Sequence, residues 1–208
     1  MMLDKAPIVI VIDDDAGIRD GLSDLLESMG MGVRTYTAVH EFLRDGLPDA
    51  PCCLVLDVRL PGQSGLELQQ RLTSTGLDVP IIFITGHADV QMSVRAMKAG
   101  AMEFLPKPFR EQELLDAVQQ SIEKSRVARL RRVNDEALAR KFADLTLRER
   151  EILAFVTSGR LNKQIAGELG VAEITVKVHR AQVMRKMGAR SLADLVRMAD
   201  QLGLEPKT

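Results

Sequence analysis

Five polar residues in the first half of the chain each follow a short apolar run. They are Asp13, Asp14, Asp57, Thr85 and Lys107, and the runs before them read IVIVI, CCLVL, PIIFI and EFLP. Close carboxylates repel one another at neutral pH unless a cation lies among them. Ligands that are all oxygen favour Mg²⁺ over Zn²⁺. A carboxylate nucleophile, a hydroxyl, a lysine and such a cation are the groups that phosphoryl transfer uses.

The apolar runs predict the strands that must position these residues. Strand-like stretches lie at 7–12, 32–36, 52–56, 79–84 and 103–105. Helical patterns separate them, and Gly30, Gly76 and Gly100 stand where such helices would end. This alternation predicts an α/β domain with a mostly parallel sheet covered by helices on both faces. Because the carboxyl ends of parallel strands lie at one edge, the five polar groups should converge there.

Asp57 is the best candidate for the nucleophile, because it stands alone after the central strand. An aspartate after a strand is more often only a turn or cap residue, so each residue taken singly is weak evidence. The five together favour a site. Asp15 has a separate interpretation as the acidic residue that begins the following helix.

The remainder of the chain is predicted to be helical. No turn signal appears between Glu111 and Asp144, which predicts one long connecting helix. A solvated linker is favoured for it over a coiled-coil stalk, since the apolar repeat covers few clean heptads. Beyond it, four short helices are predicted, with starts at Thr146, Asn162 and Ser191 and a tight turn at Gly170. Four short helices of this kind fit a helix-turn-helix module.

The near-neutral net charge of -1 conceals two oppositely charged halves. Residues 1–125 carry 11 Lys and Arg against 19 Asp and Glu, a charge of -8, whereas residues 126–208 carry 17 against 10, a charge of +7. The acidic half suits a metal or phosphoryl site, and the basic half suits nucleic acid.

Other residue types narrow the class of protein. The start of the chain lacks a secretory pattern and no long apolar run follows, which predicts a cytoplasmic protein. Cys52 and Cys53 are interpreted as reduced strand residues. The three scattered histidines lack the spacing of a zinc site. His87, two residues after Thr85, is interpreted as a surface loop residue in preference to a catalytic one.

The first half resembles the receiver domains of two-component response regulators. The matching motifs are VIDDD, LVLDVRLPGQSG, FITGHAD and AMKAGAMEFLPKPF, spread over residues 7–124. The resemblance implies a doubly wound (βα)5 fold with strand order 2-1-3-4-5. It also implies that a sensor histidine kinase passes a phosphoryl group to Asp57.

The same resemblance implies roles for the neighbouring residues. The carboxylates of Asp14 and Asp57 and the backbone carbonyl of Arg59 would bind Mg²⁺, with Asp13 acting through water. Thr85 and Lys107 would hold the phosphoryl oxygens. Two conformational features are also implied.

The first is a cis peptide bond between Lys107 and Pro108. The second is Phe104 as a switch residue that moves together with Thr85, although a strand aromatic is also an ordinary core residue. The surface that phosphorylation changes is expected at about 89–113.

The second half resembles the LuxR type of helix-turn-helix over residues 143–204. Its second helix, 174–187, is predicted to enter the major groove, with Val176, Val183 and Met187 packed inward. The residues expected to meet DNA divide by chemistry. Base edges are assigned to Lys177 and Gln182, a thymine methyl to Val178, and phosphates to Thr175, Arg180, Arg185 and Lys163. His179 lies at the boundary of the two faces and is assigned either to DNA or to structure. Ala172 replaces the serine that many relatives have as the helix cap.

Together these observations predict a transcriptional response regulator of the FixJ and NarL type, closest to the FixJ subfamily, and not an enzyme. It would comprise a receiver domain at 1–125, a helical linker at 126–142 and a DNA-binding domain at 143–208. The expected partners are a sensor histidine kinase, promoter DNA and, after phosphorylation, a second copy of the chain. RNA polymerase is a further partner that such a regulator allows.

Two rival functions remain at the sequence level. The first is an aspartyl-phosphate phosphatase of the dehalogenase type, although Arg59 stands where that chemistry needs a second acid. The second is a constitutive DNA-binding protein, against which the complete set of five polar residues argues.

Overall fold

The computed structural model describes residues 5–87 and 89–204. The chain forms two compact units, one ending at Leu130 and the other beginning at Arg131. No helix in these described ranges is both long enough and apolar enough to cross a bilayer.

The first unit is built on a five-stranded sheet in which every pair of neighbouring strands is parallel. The elements are β1 (Ile8–Ile12), α1 (Ala16–Ser28), β2 (Gly32–Tyr36), α2 (Val39–Asp45), β3 (Cys52–Asp57), α3 (Gly65–Ser74), β4 (Ile81–Thr85), α4 (Val90–Lys98), β5 (Glu103–Pro106) and α5 (Glu111–Ala143). The strand order is β2-β1-β3-β4-β5, which confirms the predicted doubly wound fold.

The apolar side chains of the strands divide between two hydrophobic layers. In β1, Ile10 and Ile12 belong to the layer that contains residues of α2, α3 and α4. Val9 and Val11 belong to the opposite layer, which contains residues of α1 and α5. Both faces of the sheet are therefore covered, as the continuous apolar runs predict.

The strand ends differ slightly from the predicted ones. β4 begins at Ile81, two residues after the predicted start, and it ends at Thr85 instead of before it. Asp57 is likewise the last residue of β3, because its pairing with Ile84 extends the ladder by one residue. The alternation implies the helix α2, but the residue pattern does not locate it. It has only 7 residues and two buried side chains, too few for a clear period.

The second unit contains four short helices after the end of α5. They are α6 (Leu147–Thr157), α7 (Asn162–Leu169), α8 (Glu173–Met187) and α9 (Leu192–Gln201). A single cluster of buried side chains from these helices and the end of α5 forms the core. Gly170 ends α7 with a φ of 62°, a left-handed conformation that favours glycine, and this confirms the predicted turn.

Two of the three predicted helix caps in this unit are present. The hydroxyl of Thr146 accepts a hydrogen bond from the Glu149 N–H, and the Glu149 side chain accepts from the Thr146 N–H. Ser191 caps α9 through the Asp194 N–H. The predicted cap at Asn162 is wrong, because Asn162 is the first residue of α7 and its side chain accepts from Arg180 instead.

The long helix is confirmed as one helix of 33 residues. Its middle carries exposed apolar side chains, among them Leu130 and Val133. Both the solvated linker and the stalk interpretation allow this exposure in a single chain.

Candidate metal centre and nucleic-acid interface

Three carboxylates lie together at the carboxyl edge of the sheet. Asp13 follows β1 and Asp57 ends the adjacent β3, so the two meet across neighbouring strands. One carboxylate oxygen from each of Asp13, Asp14 and Asp57 lies within 4.8 Å of the others. Asp13 is fully buried and Asp57 nearly so, whereas Asp14 is exposed. The structure thus brings together the three acids that the sequence singled out.

Lys107 extends from the end of β5 into this cluster. Its Nζ lies 2.5 Å from Asp13 Oδ2 and 2.8 Å from Asp57 Oδ2. Its backbone N–H donates to the Thr85 carbonyl at 2.7 Å, which attaches the residue to the end of β4. The predicted cis peptide between Lys107 and Pro108 is present.

Burial and hydrogen bonds have opposing effects on the pKa of Asp13 and of Lys107. Burial raises the pKa of Asp13 above its ordinary 3.8, and hydrogen bonds from Lys107 and the Asp15 N–H only partly oppose this. For Lys107, burial works to lower the pKa, but the hydrogen bonds to Asp13 and Asp57 outweigh it and the pKa is raised. The lysine therefore stays charged beside acids that water solvates poorly.

Asp57 is held from two sides. Its Oδ1 accepts from the Arg59 N–H at 2.8 Å, and its Oδ2 accepts from Lys107. Gly65, which sequence reasoning did not single out, lies behind it: a Cβ at this position would stand 2.4 Å from the Asp57 carbonyl oxygen. The second glycine of LPGQSG was the available signal, because glycine permits a close backbone approach.

Thr85 ends β4 at the same edge, whereas Phe104 lies inside β5, where it pairs with Phe83. Thr85 is buried, and its Oγ1 accepts from the His87 N–H at 3.3 Å. The Phe104 ring packs against Phe83 with 6.2 Å between the ring centroids. Phe104 is thus a core residue in this structure, as the simpler interpretation expects. The side chain of His87 is exposed, which confirms its assignment to the surface.

The donor set of this cluster fits a hard cation. It consists of carboxylate oxygens only, within the reach of one ion, and one of the three acids faces solvent. The adjacent ammonium group could pair with an anionic ligand of that cation. The arrangement can therefore hold a divalent ion and a phosphoryl group next to the Asp57 carboxylate.

The second unit presents one face of α8 outward. Val176, Val183 and Met187 are buried in the core of the unit, as predicted. Lys177, Val178 and Arg185 are exposed, and Gln182 is half-buried. The exposed face thus combines basic side chains with the apolar Val178, as expected for a surface that meets DNA.

Several of the predicted DNA-contacting side chains have partners within the protein. Lys177 pairs with Glu173 at 3.2 Å, Arg185 donates to Gln182 at 2.5 Å, and Arg180 donates to Asn162 at 3.2 Å. Lys163 is exposed, and Thr175 and His179 are half-buried. Ala172 is the N-cap of α8 and makes no side-chain cap hydrogen bond, which confirms that prediction.

Fold and sites together define a signal-receiving domain joined to a DNA-binding domain. Residues 9–119 match the model of the response regulator receiver domain, and residues 143–199 match that of bacterial regulatory proteins of the luxR family. The chain belongs to the response regulators that carry a LuxR-type DNA-binding domain, and it is a two-component transcriptional regulator.

Known proteins resemble the chain over nearly its whole length. Nodulation protein W of Bradyrhizobium diazoefficiens is 50% identical over 197 residues, which are 95% of this chain and 87% of that protein. The transcriptional regulatory protein FixJ of Azorhizobium caulinodans is 43% identical over 95% of this chain and 94% of its own length. A solved structure of the response regulator StyR is 50% identical, with a TM-score of 0.86, and the match covers 95% of this chain and 100% of that one. These similarities confirm the predicted relationship to FixJ.

Proposed function

We propose that the chain accepts a phosphoryl group on Asp57 from a sensor histidine kinase, in a Mg²⁺-dependent reaction. Phosphorylation then promotes dimerisation and binding to promoter DNA. The domains that carry these steps are the receiver at 1–125, the linker at 126–142 and the DNA-binding domain at 143–208. The observation that carries the proposal is the position of Asp57, at the end of β3 with Lys107 bonded to its carboxylate.

The carboxylates are assigned to the cation as the family motif implies. Asp14, Asp57 and the backbone carbonyl of Arg59 would hold Mg²⁺, with Asp13 acting through water. When bound, Mg²⁺ would neutralise charge on the phosphoryl oxygens. The oxygen-only donor set supports this choice of metal.

The protein's own groups account for the chemistry. An Asp57 oxygen forms a bond to phosphorus as the bond to the kinase imidazole breaks, and that nitrogen keeps the electron pair. Lys107 supplies positive charge to the phosphoryl oxygens, and the Thr85 hydroxyl donates a hydrogen bond to one of them. Phe104 turns as Thr85 moves, which alters the surface at about 89–113.

In the second domain, Lys177 and Gln182 read base edges and Val178 contacts a thymine methyl. Thr175, Arg180, Arg185 and Lys163 bind phosphates, and His179 lies at the margin of this surface. Two chains would occupy paired half-sites, since a symmetric dimer requires a symmetric site. RNA polymerase would be the next partner at a promoter.

The phosphoryl step is tested with acetyl phosphate and Mg²⁺. The wild type should gain the mass of one phosphoryl group, and its affinity for a duplex selected from a random library should rise. Asp57→Asn should show neither change. Asp78→Asn, which alters an exposed carboxylate outside the cluster, should behave as the wild type does.

Other outcomes would contradict the proposal. Steady phosphate release from small phosphoesters would favour a phosphatase. Equal DNA binding by wild type and Asp57→Asn, with no gain in mass, would favour a constitutive DNA-binding protein. For the metal assignment, calorimetry should show that Asp14→Asn weakens Mg²⁺ binding while the protein remains folded.

The DNA assignments are tested with a pair of variants. Gln182→Ala should reduce discrimination between the selected duplex and its point variants by about 1–3 kcal/mol. Lys163→Gln should weaken binding to all duplexes alike and reduce the salt dependence by about one counterion. Equal effects of the two variants on discrimination would contradict the division into base and phosphate contacts.

A further inference from the structure

The helix α5 is hydrogen-bonded to β3 at the end of that strand opposite to Asp57. Within the first unit, the Ser125 hydroxyl of α5 accepts a hydrogen bond from the Cys52 N–H at 3.0 Å. Cys52 is the first residue of β3, the strand whose last residue is Asp57. Both Ser125 and Cys52 are buried.

This hydrogen bond supplies an acceptor for a strand amide that lies beyond the pairing of β3 with β4. Alternate amides of a strand point to the same side, and the Leu54 N–H donates to the Pro80 carbonyl just before β4. The Cys52 N–H points to that same side. It lies two residues before Leu54, which forms the first β3–β4 pair with Ile81. A buried amide without a partner is destabilising, and Ser125 supplies the acceptor.

A second contact lies one turn farther along α5. The Arg129 guanidinium bonds to the carboxylate of Asp49, three residues before β3, and Lys5 bonds to the other oxygen of that carboxylate. These bonds from Lys5 and Arg129 lower the pKa of Asp49 to about 2, so the carboxylate stays charged over the physiological range. The compact unit ends one residue later, at Leu130, while α5 continues to Ala143.

We infer that Ser125 is a positioning residue for regulation. It ties the strand that bears Asp57 to the helix that leads to the DNA-binding domain, and Arg129 reinforces this attachment. The inference rests on the proposed function, because it concerns how phosphorylation of Asp57 alters DNA affinity. Without the attachment, phosphorylation of Asp57 would still occur but would change DNA binding less.

The chain offers a matched control on the same helix. Ser121 is a fully buried serine one turn earlier, and its hydroxyl has no hydrogen-bond partner within the described part of the chain. Ser125→Ala and Ser121→Ala therefore remove the same atom from similar surroundings, but only the first removes the bond to Cys52. The full-length proteins are compared with and without acetyl phosphate and Mg²⁺.

The ratio of DNA affinities in the two conditions is the quantity measured. Ser125→Ala should reduce this ratio by roughly two- to thirty-fold. This is the range of effects on coupling that is found for substitutions of residues that contact neither ligand. Its rate of phosphorylation should stay close to that of the wild type. Ser121→Ala should keep the wild-type ratio, which a general loss of packing at α5 would not allow.

Three results separate the possible failures. A wild-type ratio of one would overturn the proposed function. A wild-type ratio above one that Ser125→Ala retains, or that Ser121→Ala loses equally, would overturn only the role of Ser125. If Ser125→Ala does not fold, Arg129→Gln decides, since it breaks the exposed contact on the same helix: a reduced ratio supports the attachment, and an unchanged ratio overturns it.

Discussion

Two lysine–carboxylate pairs, one in each domain, have nearly the same N–O distance, but the pKa values of their carboxylates are shifted in opposite directions. In the receiver, Lys107 lies 2.5 Å from Asp13. In the DNA-binding domain, Lys186 lies 2.6 Å from Glu149, whose side chain is also buried. Yet the pKa of Asp13 is raised, whereas that of Glu149 is lowered.

The surroundings of the two carboxylates explain the difference. Glu149 accepts hydrogen bonds from Lys186 and from the backbone of Thr146, and together these outweigh the effect of burial. Asp13 is desolvated more strongly than its hydrogen bonds compensate, and the negative charge of Asp57 adds to the cost. The Glu149 pair therefore stabilises the fold, whereas the negative charge on Asp13 is destabilising in a cluster that could hold a cation.

The largest expected effect comes from removing the lysine of each pair. Lys107→Met should lower the free energy of unfolding by about 2–4 kcal/mol at pH 7, because two buried carboxylates lose their cationic partner. Lys186→Met should cost less, about 1–2 kcal/mol, since only one buried carboxylate loses its cationic partner. Urea unfolding followed by amide hydrogen exchange reports each domain separately. Equal losses of unfolding free energy in the two variants would show that the Lys107 and Lys186 pairs do not differ in their contribution to stability.

A smaller effect is expected from neutralising Glu149. Its pKa is below the ordinary 4.5, so the charged form favours folding at all higher pH values, and this contribution is lost as the pH falls through the folded pKa. Glu149→Gln should cost about 1–2 kcal/mol at pH 7. In thermal unfolding, the wild type and the variant should converge at pH values below 4.5. A constant difference across this range would rule out the charge as the cause.

A side-chain cap introduced at Ala172 would stabilise a helix start without an ion pair. Its effect therefore separates the contribution of the cap from that of the ion pair at Glu149. Ala172 is the N-cap of α8 and supplies no side-chain acceptor, unlike Thr146 at the start of α6. Ala172→Ser should stabilise the DNA-binding domain by about 1 kcal/mol, measured by thermal unfolding. Ala172→Gly is the matched control that adds no hydroxyl. A gain in thermal stability from both variants would show that the backbone conformation at this position, and not the hydroxyl, is responsible.

The smallest effect, of opposite sign, is expected at Asp13. Because its pKa is raised above 3.8, the folded protein loses stability as the pH rises from that value through the folded pKa. Asp13→Asn removes this penalty, and Lys107 keeps Asp57 as a partner. The variant should match the wild type or gain up to about 1 kcal/mol in urea unfolding at pH 7. A loss similar to that of Glu149→Gln would show that the two pairs are alike.

Sequence reasoning identified the candidate site because the positions of its residues follow from strand periodicity. Each residue stands at the end of an apolar run, and parallel strands bring such ends to one edge. It missed α2, whose 7 residues show no clear period, and it placed a cap at Asn162, one residue inside the helix. It also missed Gly65, because the approach of α3 to the Asp57 carbonyl is a contact between elements.

The order of apolar and polar residues alone determined the alternation of strands and helices, the long helix, the buried face of α8 and the convergence of the polar groups at one edge. These follow from local periodicity and from the geometry of parallel sheets. Only the tertiary structure decided the opposite pKa directions of Asp13 and Glu149 and the bond from Cys52 to Ser125, 73 residues apart. Desolvation and long-range hydrogen bonds depend on which groups surround a side chain in space, and spacing along the chain carries no information about that.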